Sequence, residues 1–257
     1  MAPQTRTLPK RQALRRVGQL LAFFSFPVIM NFFSPYLIVQ GSFEGILAGS
    51  AIVFASLFVG SLLFGRLFCG WICPVAALED TAAPINNRRV ARRARLVKWA
   101  IWVPWIALIL FAVINAGGYH SVQPLYGTEG GISLAGSADR PIIFAYIIYF
   151  MVVALFFGLA LALGRRGGCH TVCWISPFMI LGRWLRNKLG AWPSLRLVSD
   201  TSTCNGCARC TTECPMSIDV AAHAQAGTME DSECILCGAC VDNCPRRSLR
   251  YSFSSGR

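Results

Sequence analysis

Two runs of cysteines with the same spacing lie near the end of this 257-residue chain. Each run reads C-x2-C-x2-C-x3-C and is followed at once by a proline, Pro215 in the first run and Pro245 in the second. Three closely spaced thiolates can wrap three irons of a cubane, and the fourth thiolate then comes from the companion run. The spacing therefore predicts two [4Fe–4S] clusters within residues 197–257.

This exchange of the fourth cysteine defines the expected ligand sets. One cluster takes Cys204, Cys207, Cys210 and Cys244, and the other takes Cys234, Cys237, Cys240 and Cys214. The alternative is a pair of zinc sites, but zinc usually takes two separated cysteine pairs rather than runs of four. A segment this short builds only a small apolar core, so bound clusters would help to keep it folded.

The chain as a whole is unusually apolar. Hydrophobic residues make up 54% of the sequence and charged residues only 14%, whereas soluble domains carry about 25% charged residues. This composition excludes a disordered chain and argues against a water-soluble one. Four stretches without Asp, Glu, Lys or Arg are long enough to serve as spans, for which roughly 20 residues are needed. They lie at 17–43, 45–65, 99–115 and 141–164.

The basic residues predict how these spans are oriented. Eighteen Lys and Arg residues lie before the first span, between the second and third, or after the fourth, and only Arg140 lies in a loop on the other side. Loops rich in Lys and Arg stay in the cytoplasm, so both termini and the cysteines are expected at the cytoplasmic side of the inner membrane. Thiols stay reduced there, which favours metal binding over disulfides. Basic residues beside apolar runs do not indicate a nucleic-acid partner.

Two further cysteine pairs follow the second and fourth spans. Cys69 and Cys73 form the first pair, and Cys169 and Cys173 form the second. Residues four apart share one face of a helix, so two equivalent hairpins could bring four thiols together. Three interpretations stay open: a shared metal or third iron–sulfur site, a redox-active dithiol, or cysteines that fill an apolar interface. The neighbouring basic residues are expected to lower the thiol pKa and favour thiolate chemistry.

Three polar residues near these pairs are expected to have ordinary roles. His170 lies inside the second pair and is interpreted as a solvated interface residue, with metal ligation as the alternative. Glu79 and Asp80 follow the first pair and are interpreted as acids of a helix's first turn, with proton uptake near the cytoplasmic interface as the alternative. His120, in the segment expected outside, is interpreted as a plain loop histidine, with a hydrogen-bond acceptor for a quinol as the alternative.

The combination of these motifs resembles the NapH/MauN group of membrane ferredoxin-type proteins. The resemblance rests on four spans, Cys69-x3-Cys73-Pro74, a second C-x3-C pair and the tandem cysteine runs, and it covers roughly residues 17–250. The layout is also similar to the C-terminal membrane part of NosR and to CcoG-like proteins. One departure is that Trp174, rather than proline, follows Cys173. The resemblance implies that electrons pass between the quinone pool and an iron–sulfur partner.

The sequence therefore predicts an α-helical membrane protein with four transmembrane helices in two hairpins, followed by a small α+β ferredoxin-like domain. The expected parts are a basic cytoplasmic N-terminus at 1–16, the transmembrane domain at 17–196 and the cytoplasmic cluster domain at 197–257. We expect an electron-transfer subunit rather than a stand-alone enzyme, with membrane lipid, quinone and a redox protein as partners. The alternatives are an assembly factor that reduces a metal such as copper for a membrane oxidase, and a membrane-anchored redox sensor.

Overall fold

The fold was analysed in a computed structural model that describes residues 9–134, 141–190 and 192–255. Residues 1–8 of the expected N-terminal segment, and Arg140, lie outside the described residues. The helices of the described ranges are α1 (Lys10–Ile29), α2 (Pro35–Phe43), α3 (Gly49–Phe64), α4 (Leu67–Trp71), α5 (Pro74–Ala82), α6 (Arg95–Asn115), α7 (Ile142–Leu163), α8 (Gly167–Thr171), α9 (Ser176–Leu189), α10 (Arg209–Thr212), α11 (Val220–Gln225) and α12 (Ala239–Asp242). Short 3₁₀ turns cover Met30–Phe33 and Arg92–Ala94.

Four short strands form two separate pairs. Strand β1 (Ile46–Ala48) pairs in parallel with β2 (Ser121–Gln123). Strand β3 (Ser194–Ser199) pairs antiparallel with β4 (Leu249–Ser254), so the first and last segments of the tail close on each other. Between them, the described tail holds only the short helices α10, α11 and α12. The first two cysteines of each run lie in the loop before α10 or α12, the third lies in that helix, and the fourth follows it.

Three helical stretches of the described chain are long and apolar enough to cross a membrane: Lys10–Phe43, Arg92–Asn115 and Ile142–Leu163. The second predicted span, at 45–65, forms a shorter helix, because α3 has 16 residues. Such a helix is about 24 Å long, against a hydrocarbon core of about 30 Å. The described residues therefore supply three candidate spans by length, where the sequence predicts four.

The same local layout follows α3 and α7. Each of these helices ends at a glycine with a positive φ, 54° at Gly65 and 106° at Gly164. A five-residue helix and then a helix with proline in its first turn follow in both places. In each, the amide of the second cysteine donates 3.1 Å to a carbonyl five residues back, Cys73 to Phe68 and Cys173 to Gly168. The two hairpins thus repeat one backbone design that presents a C-x3-C pair.

One apolar core joins the tail to the helical part. Buried Phe54 of α3 and the buried pair cysteines Cys69 and Cys169 belong to the same cluster as Ile235 and Leu236 of the second cysteine run. The helix α9 lies along α3, with Gly182 so close to Ser61 that a side chain there would have no room. The membrane-type helices and the tail therefore share buried contacts, and this shared core positions the sites described next.

Candidate functional site

The eight tail cysteines line two cavities. Cys204, Cys207, Cys210 and Cys244 line one of them, which we term the exposed site. Cys214, Cys234, Cys237 and Cys240 line the other, which we term the buried site. The structure thus brings the fourth cysteine of each run to the three leading cysteines of the companion run, in the grouping that the spacing predicts. Ligation itself stays a prediction.

The two runs curl around their cavities with matching backbone conformations. In each run the residue before the second cysteine has a positive φ, 69° at Gly206 and 51° at Leu236. The residue after that cysteine also does, 57° at Ala208 and 75° at Gly238. Positive φ is costly for side chains such as leucine and persists where the surroundings enforce it. The carbonyl of Leu236 accepts from the Trp71 indole at 3.1 Å, which helps to hold that loop.

The donor chemistry of both cavities fits an iron–sulfur cluster. Each presents four thiols and an otherwise mainly apolar lining, which is the ligand type that such clusters take. Within the described ranges, no three His, Cys, Asp or Glu side chains converge closely enough to hold a single metal ion. The sites differ in exposure, since Cys207 is exposed whereas Cys237 and Cys240 are buried.

The two C-x3-C pairs lie in and just after the short helices α4 and α8. Cys69, Cys73 and Cys169 are each 6% exposed, and each of the four cysteines lies within electrostatic range of at least two of the others. We term them the membrane cysteine group. The Sγ of Cys69 lies 3.6 Å from the Sδ of Met179.

For Cys73, Cys169 and Cys173, the expectation that basic neighbours bring the thiol pKa below its usual value is wrong. Burial raises the pKa of the Cys73 thiol, and the neighbouring Cys69 and Cys173 raise it further. Burial likewise raises the pKa of Cys169, and Arg166 offsets only part of the shift. Desolvation of the thiolate therefore outweighs the attraction of the buried guanidinium.

Acidic residues of α5 bind the opposite cysteine pair. The Glu79 carboxylate accepts from the amide of Gly168 at 2.6 Å and from the amide of Cys169 at 3.2 Å. Asp80 accepts two bonds of 2.8 Å from Arg166, whose guanidinium also donates 3.0 Å to the Cys69 carbonyl. The segment after α3 and the segment after α7 thus fix each other's position.

Their interpretation as first-turn helix acids is wrong, because Glu79 is fully buried and both residues lie in the later turns of α5. Burial raises the pKa of Glu79 to about 7, against the opposing effect of Cys169 and Arg166. Burial also disfavours the charged form of Asp80, but the adjacent Arg166 and Arg15 hold its pKa below the usual value. The structure gives these acids positioning roles instead.

A buried ion network joins the tail to the ends of the membrane helices. Glu233, which precedes Cys234, is 2% exposed and lies 2.8 Å from both the Arg66 guanidinium and the Lys98 amine. Burial disfavours its charged form, but these two cations hold the pKa of Glu233 far below its usual range. Removing one partner of a buried pair typically costs about 3–5 kcal/mol, because the other charge is left uncompensated.

His170 completes this network and is not the solvated residue expected. It is 1% exposed, and its Nδ1 lies 3.8 Å from Glu233. Burial lowers the pKa of His170 to about 3, despite the nearby carboxylate, so the ring is neutral at physiological pH. Neither ring nitrogen has a hydrogen-bond partner within the part of the chain that the structure describes.

The loop of the buried site lies directly on the loop of the first cysteine pair. A side-chain carbon at Gly70 would collide with the Ile235 carbonyl and come within 3.6 Å of the Cys237 Cα. The Gly70 carbonyl accepts from Gln19 at 3.0 Å, and the Cys237 carbonyl accepts from Gln12 at 3.0 Å. The buried site and the membrane cysteine group are therefore adjacent, with no room for an inserted side chain at this point.

Sequence reasoning missed the residues that make this contact. Gln12, Arg15 and Gln19 are buried on one face of α1, and their spacing of three and four is the helical signal that could have revealed a polar docking face. From the sequence alone, Arg66 and Lys98 are expected only to set the orientation of the membrane spans. The sequence also offered a signal for Glu233 as a docking residue, since it is an acid directly before a cysteine of the second run.

Two family models match the chain at these sites. A 4Fe-4S dicluster domain matches residues 196–245, and a 4Fe-4S binding domain matches residues 47–93, which include Cys69 and Cys73. The second match is unexpected for an apolar segment. It associates the first membrane pair, as well as the tail, with iron–sulfur proteins.

Curated relatives agree with these models. The protein MauN of Paracoccus denitrificans is 26% identical, over 82% of this chain and 70% of its own. The protein NapH of Haemophilus influenzae is 25% identical, over 80% of this chain and 68% of its own. The chain is a relative of the ferredoxin-type proteins NapH and MauN. The resemblance inferred from the cysteine pattern is therefore confirmed.

A third relative, the putative electron transport protein YccM of Escherichia coli, is 23% identical over 85% of this chain and 60% of its own. No solved structure gives a significant match. Together with the apolar helices, these relatives indicate a membrane protein of the ferredoxin type that transfers electrons through 4Fe–4S sites. The relation to NosR and CcoG stays a prediction.

The contact at Gly70 generates a test of tail docking. Gly70→Ala should force the tail loop away from α4 and destabilise docking by roughly 1–3 kcal/mol, as overpacking does elsewhere. Trypsin should then release the tail from the detergent-solubilised protein about tenfold faster, because cleavage follows the open fraction.

Gly60→Ala is the matched control, since nothing lies within 4 Å of a side-chain carbon at Gly60. It should leave the digestion rate unchanged or slightly lower, because alanine favours the helix. If Gly70→Ala resists trypsin as well as the parent protein does, the close packing described here is not what holds the tail.

Proposed function

We propose that the protein passes single electrons between the quinone pool and a redox partner of a respiratory chain or dehydrogenase complex. Its tail would hold two [4Fe–4S] clusters, one on Cys204, Cys207, Cys210 and Cys244 and the other on Cys234, Cys237, Cys240 and Cys214. When bound, such a cluster supplies one-electron oxidation and reduction. The observation that carries the proposal is that the two cysteine cavities lie at different depths, one against the membrane cysteine group and one at the surface.

This arrangement gives the chain's residues distinct tasks. The apolar lining of the buried site keeps water away from its thiolates. Arg166 donates to the Cys69 carbonyl and lies within electrostatic range of Cys237, so one buried cation serves both sites. Exposed Cys207 leaves the edge of the other site open to a partner. The proposed order is therefore quinone, membrane cysteine group, buried site, exposed site and partner.

The membrane cysteine group would hold a third site on Cys69, Cys73, Cys169 and Cys173. The match of a 4Fe-4S binding domain across the first pair supports an iron–sulfur site over a dithiol. The crossed bonds of Glu79 and Arg166 support a site shared by both pairs, because they fix one short helix against the other. Glu79 bonds the loop of the second pair, and Arg166 bonds the loop of the first. Cysteines that only fill an apolar gap would not require such buried polar bonds between the two loops.

We further propose that α3 is a fourth membrane-crossing segment. The extended strand β1 directly precedes it and adds about 10 Å to its 24 Å. Strand β1 pairs with β2 of the 117–140 segment, so both loops expected outside meet at one end of the molecule. The exposed apolar faces of α6 and α7 would contact lipid.

The opposite end of the helix bundle carries the cysteine sites and the basic residues that contact the tail. On this basis the segments 1–16 and 197–257 are cytoplasmic, and the protein lies in the inner membrane. Reporter fusions test the orientation. A fusion at Gly130 should be active only as a periplasmic reporter, and a fusion at the C-terminus only as a cytoplasmic one. The reverse pattern would contradict it.

Iron analysis tests the two tail clusters. Anaerobically purified protein should contain about eight iron and eight sulfide from the tail, plus any from the membrane cysteine group. Cys214→Ala should lower the iron content by disrupting the cluster of the second run, and Cys244→Ala by disrupting the cluster of the first run. Each replaced cysteine thus affects the cluster held by the run to which it does not belong. About two zinc and no sulfide would contradict the assignment.

Quinol-dependent reduction tests the membrane cysteine group. Replacing Cys69 and Cys169 with serine should abolish reduction of the tail clusters by quinol, followed by their visible absorbance. Dithionite, which reaches the exposed site directly, should still reduce them and is the internal control. Unchanged reduction by quinol in this variant would assign a purely structural role to the membrane cysteines.

A further inference from the structure

The charges of the tail are divided between two faces. Four of its acids form ion pairs with basic residues of the helical part: Asp242 with Arg11, Glu233 with Arg66 and Lys98, Asp231 with Arg95, and Glu230 with Arg183. These pairs use up most of the negative charge of the tail on its docked side. The part of the tail outside these pairs therefore carries a more positive charge than the tail as a whole.

Three arginines of the tail are exposed and take no part in these pairs. Arg209, Arg246 and Arg247 are exposed, and among the described residues none of them has a side-chain hydrogen bond or ion pair. We term them the basic rim. They contrast with the arginines on the docked side, such as Arg66 and Arg166, which are buried and bonded to carboxylates.

The basic rim flanks the exposed site. Arg209 lies between Ala208 and Cys210, and both of these line the exposed-site cavity. Arg246 and Arg247 lie between Pro245 and Ser248, which also line it. The rim thus approaches the cavity from both of its cysteine runs.

The remaining surface of this loop is neutral, because Asn205 and Gly206 separate Cys204 from exposed Cys207. Three exposed acids also belong to this end of the tail. Asp200 is within electrostatic range of Arg250, which offsets it. Glu213 follows α10, and Asp219 caps α11 and accepts from the Thr211 hydroxyl. The three arginines outnumber Glu213 and Asp219, so a positive charge remains around the site.

A neutral centre with charges around it is the usual anatomy of a transient protein interface. Complementary charge speeds the encounter of such partners and excludes those of like charge. We propose that the basic rim is the docking site of a redox protein whose surface is acidic around its own electron-transfer centre. This inference rests on the proposed electron-transfer function and adds the charge of the partner to it.

The probes are two forms of cytochrome c with the same haem and opposite surface charge. Native cytochrome c is basic, and succinylation of its lysines makes it acidic. Each form takes up one electron from the dithionite-reduced, full-length protein, which loses one. The second-order rate constant is measured against ionic strength, and the affinity of the oxidised protein for each immobilised cytochrome is measured separately, without electron transfer.

The acidic cytochrome should bind more tightly and react at least about tenfold faster at low salt. This advantage should disappear at high salt, because the charges are then screened within a few ångströms. The variant Arg209→Gln/Arg246→Gln/Arg247→Gln should lose both the tighter binding and the faster rate. Arg88→Gln/Arg92→Gln/Arg93→Gln removes the same charge from exposed residues elsewhere and should stay within about twofold of the parent protein. Equal iron content in both variants shows that the tail is intact.

Preference for native cytochrome c, or an unchanged affinity and rate in the rim variant, would overturn the inference. So would a rim variant that loses binding to phosphatidylserine vesicles while keeping its affinity for the acidic cytochrome, because the rim would then face lipid. If neither cytochrome is reduced, the proposed function fails. The affinity of the oxidised protein still decides whether the rim selects an acidic partner.

Discussion

The contact between the second cysteine run and the loop of the first membrane pair organises this protein. Its centre is Glu233, an anion removed from water and held by Arg66 and Lys98. Such a network is stable only while all of its members are present, since a lone buried charge is costly. It therefore fixes the tail in one position, with the backbone of Gly70 against that of Ile235. This placement of the tail puts the buried site against the membrane cysteine group and leaves the exposed site at the surface.

The basic residues of the helical part have two physical roles. Their distribution along the chain is the kind that holds loops on the cytoplasmic side. In the folded protein the same residues attract the acids of the tail, as Arg11 attracts Asp242 and Arg183 attracts Glu230. Docking thus pairs four acids of the tail, and among the described residues it leaves three of its arginines exposed and unpaired. One charge pattern supports domain docking and, by our proposals, membrane orientation and the choice of partner.

Local spacing carried most of what could be predicted. The cysteine runs identify the tail, and their spacing alone predicts the exchange of Cys214 and Cys244 that the cavities reproduce. The layout of the paired cysteines led to the NapH and MauN relatives.

The features that sequence reasoning could not reach are those that long-range packing decides. Composition does not reveal that α3 is shortened by a preceding strand. Nor does it reveal that Glu79 and His170 are enclosed by residues distant in sequence. Nor do basic residues near a thiol in the sequence predict its pKa, because burial raises the pKa of Cys73 by more than Arg166 lowers it.

The most direct test of this account is an anaerobic titration of the purified protein with quinol, followed by visible spectroscopy. The account predicts a coloured protein whose iron–sulfur absorbance bleaches on adding quinol, with uptake of about one electron per tail cluster. A colourless, iron-free preparation would contradict it. So would clusters that dithionite bleaches and quinol leaves unchanged, because the sites would then not be connected to the membrane.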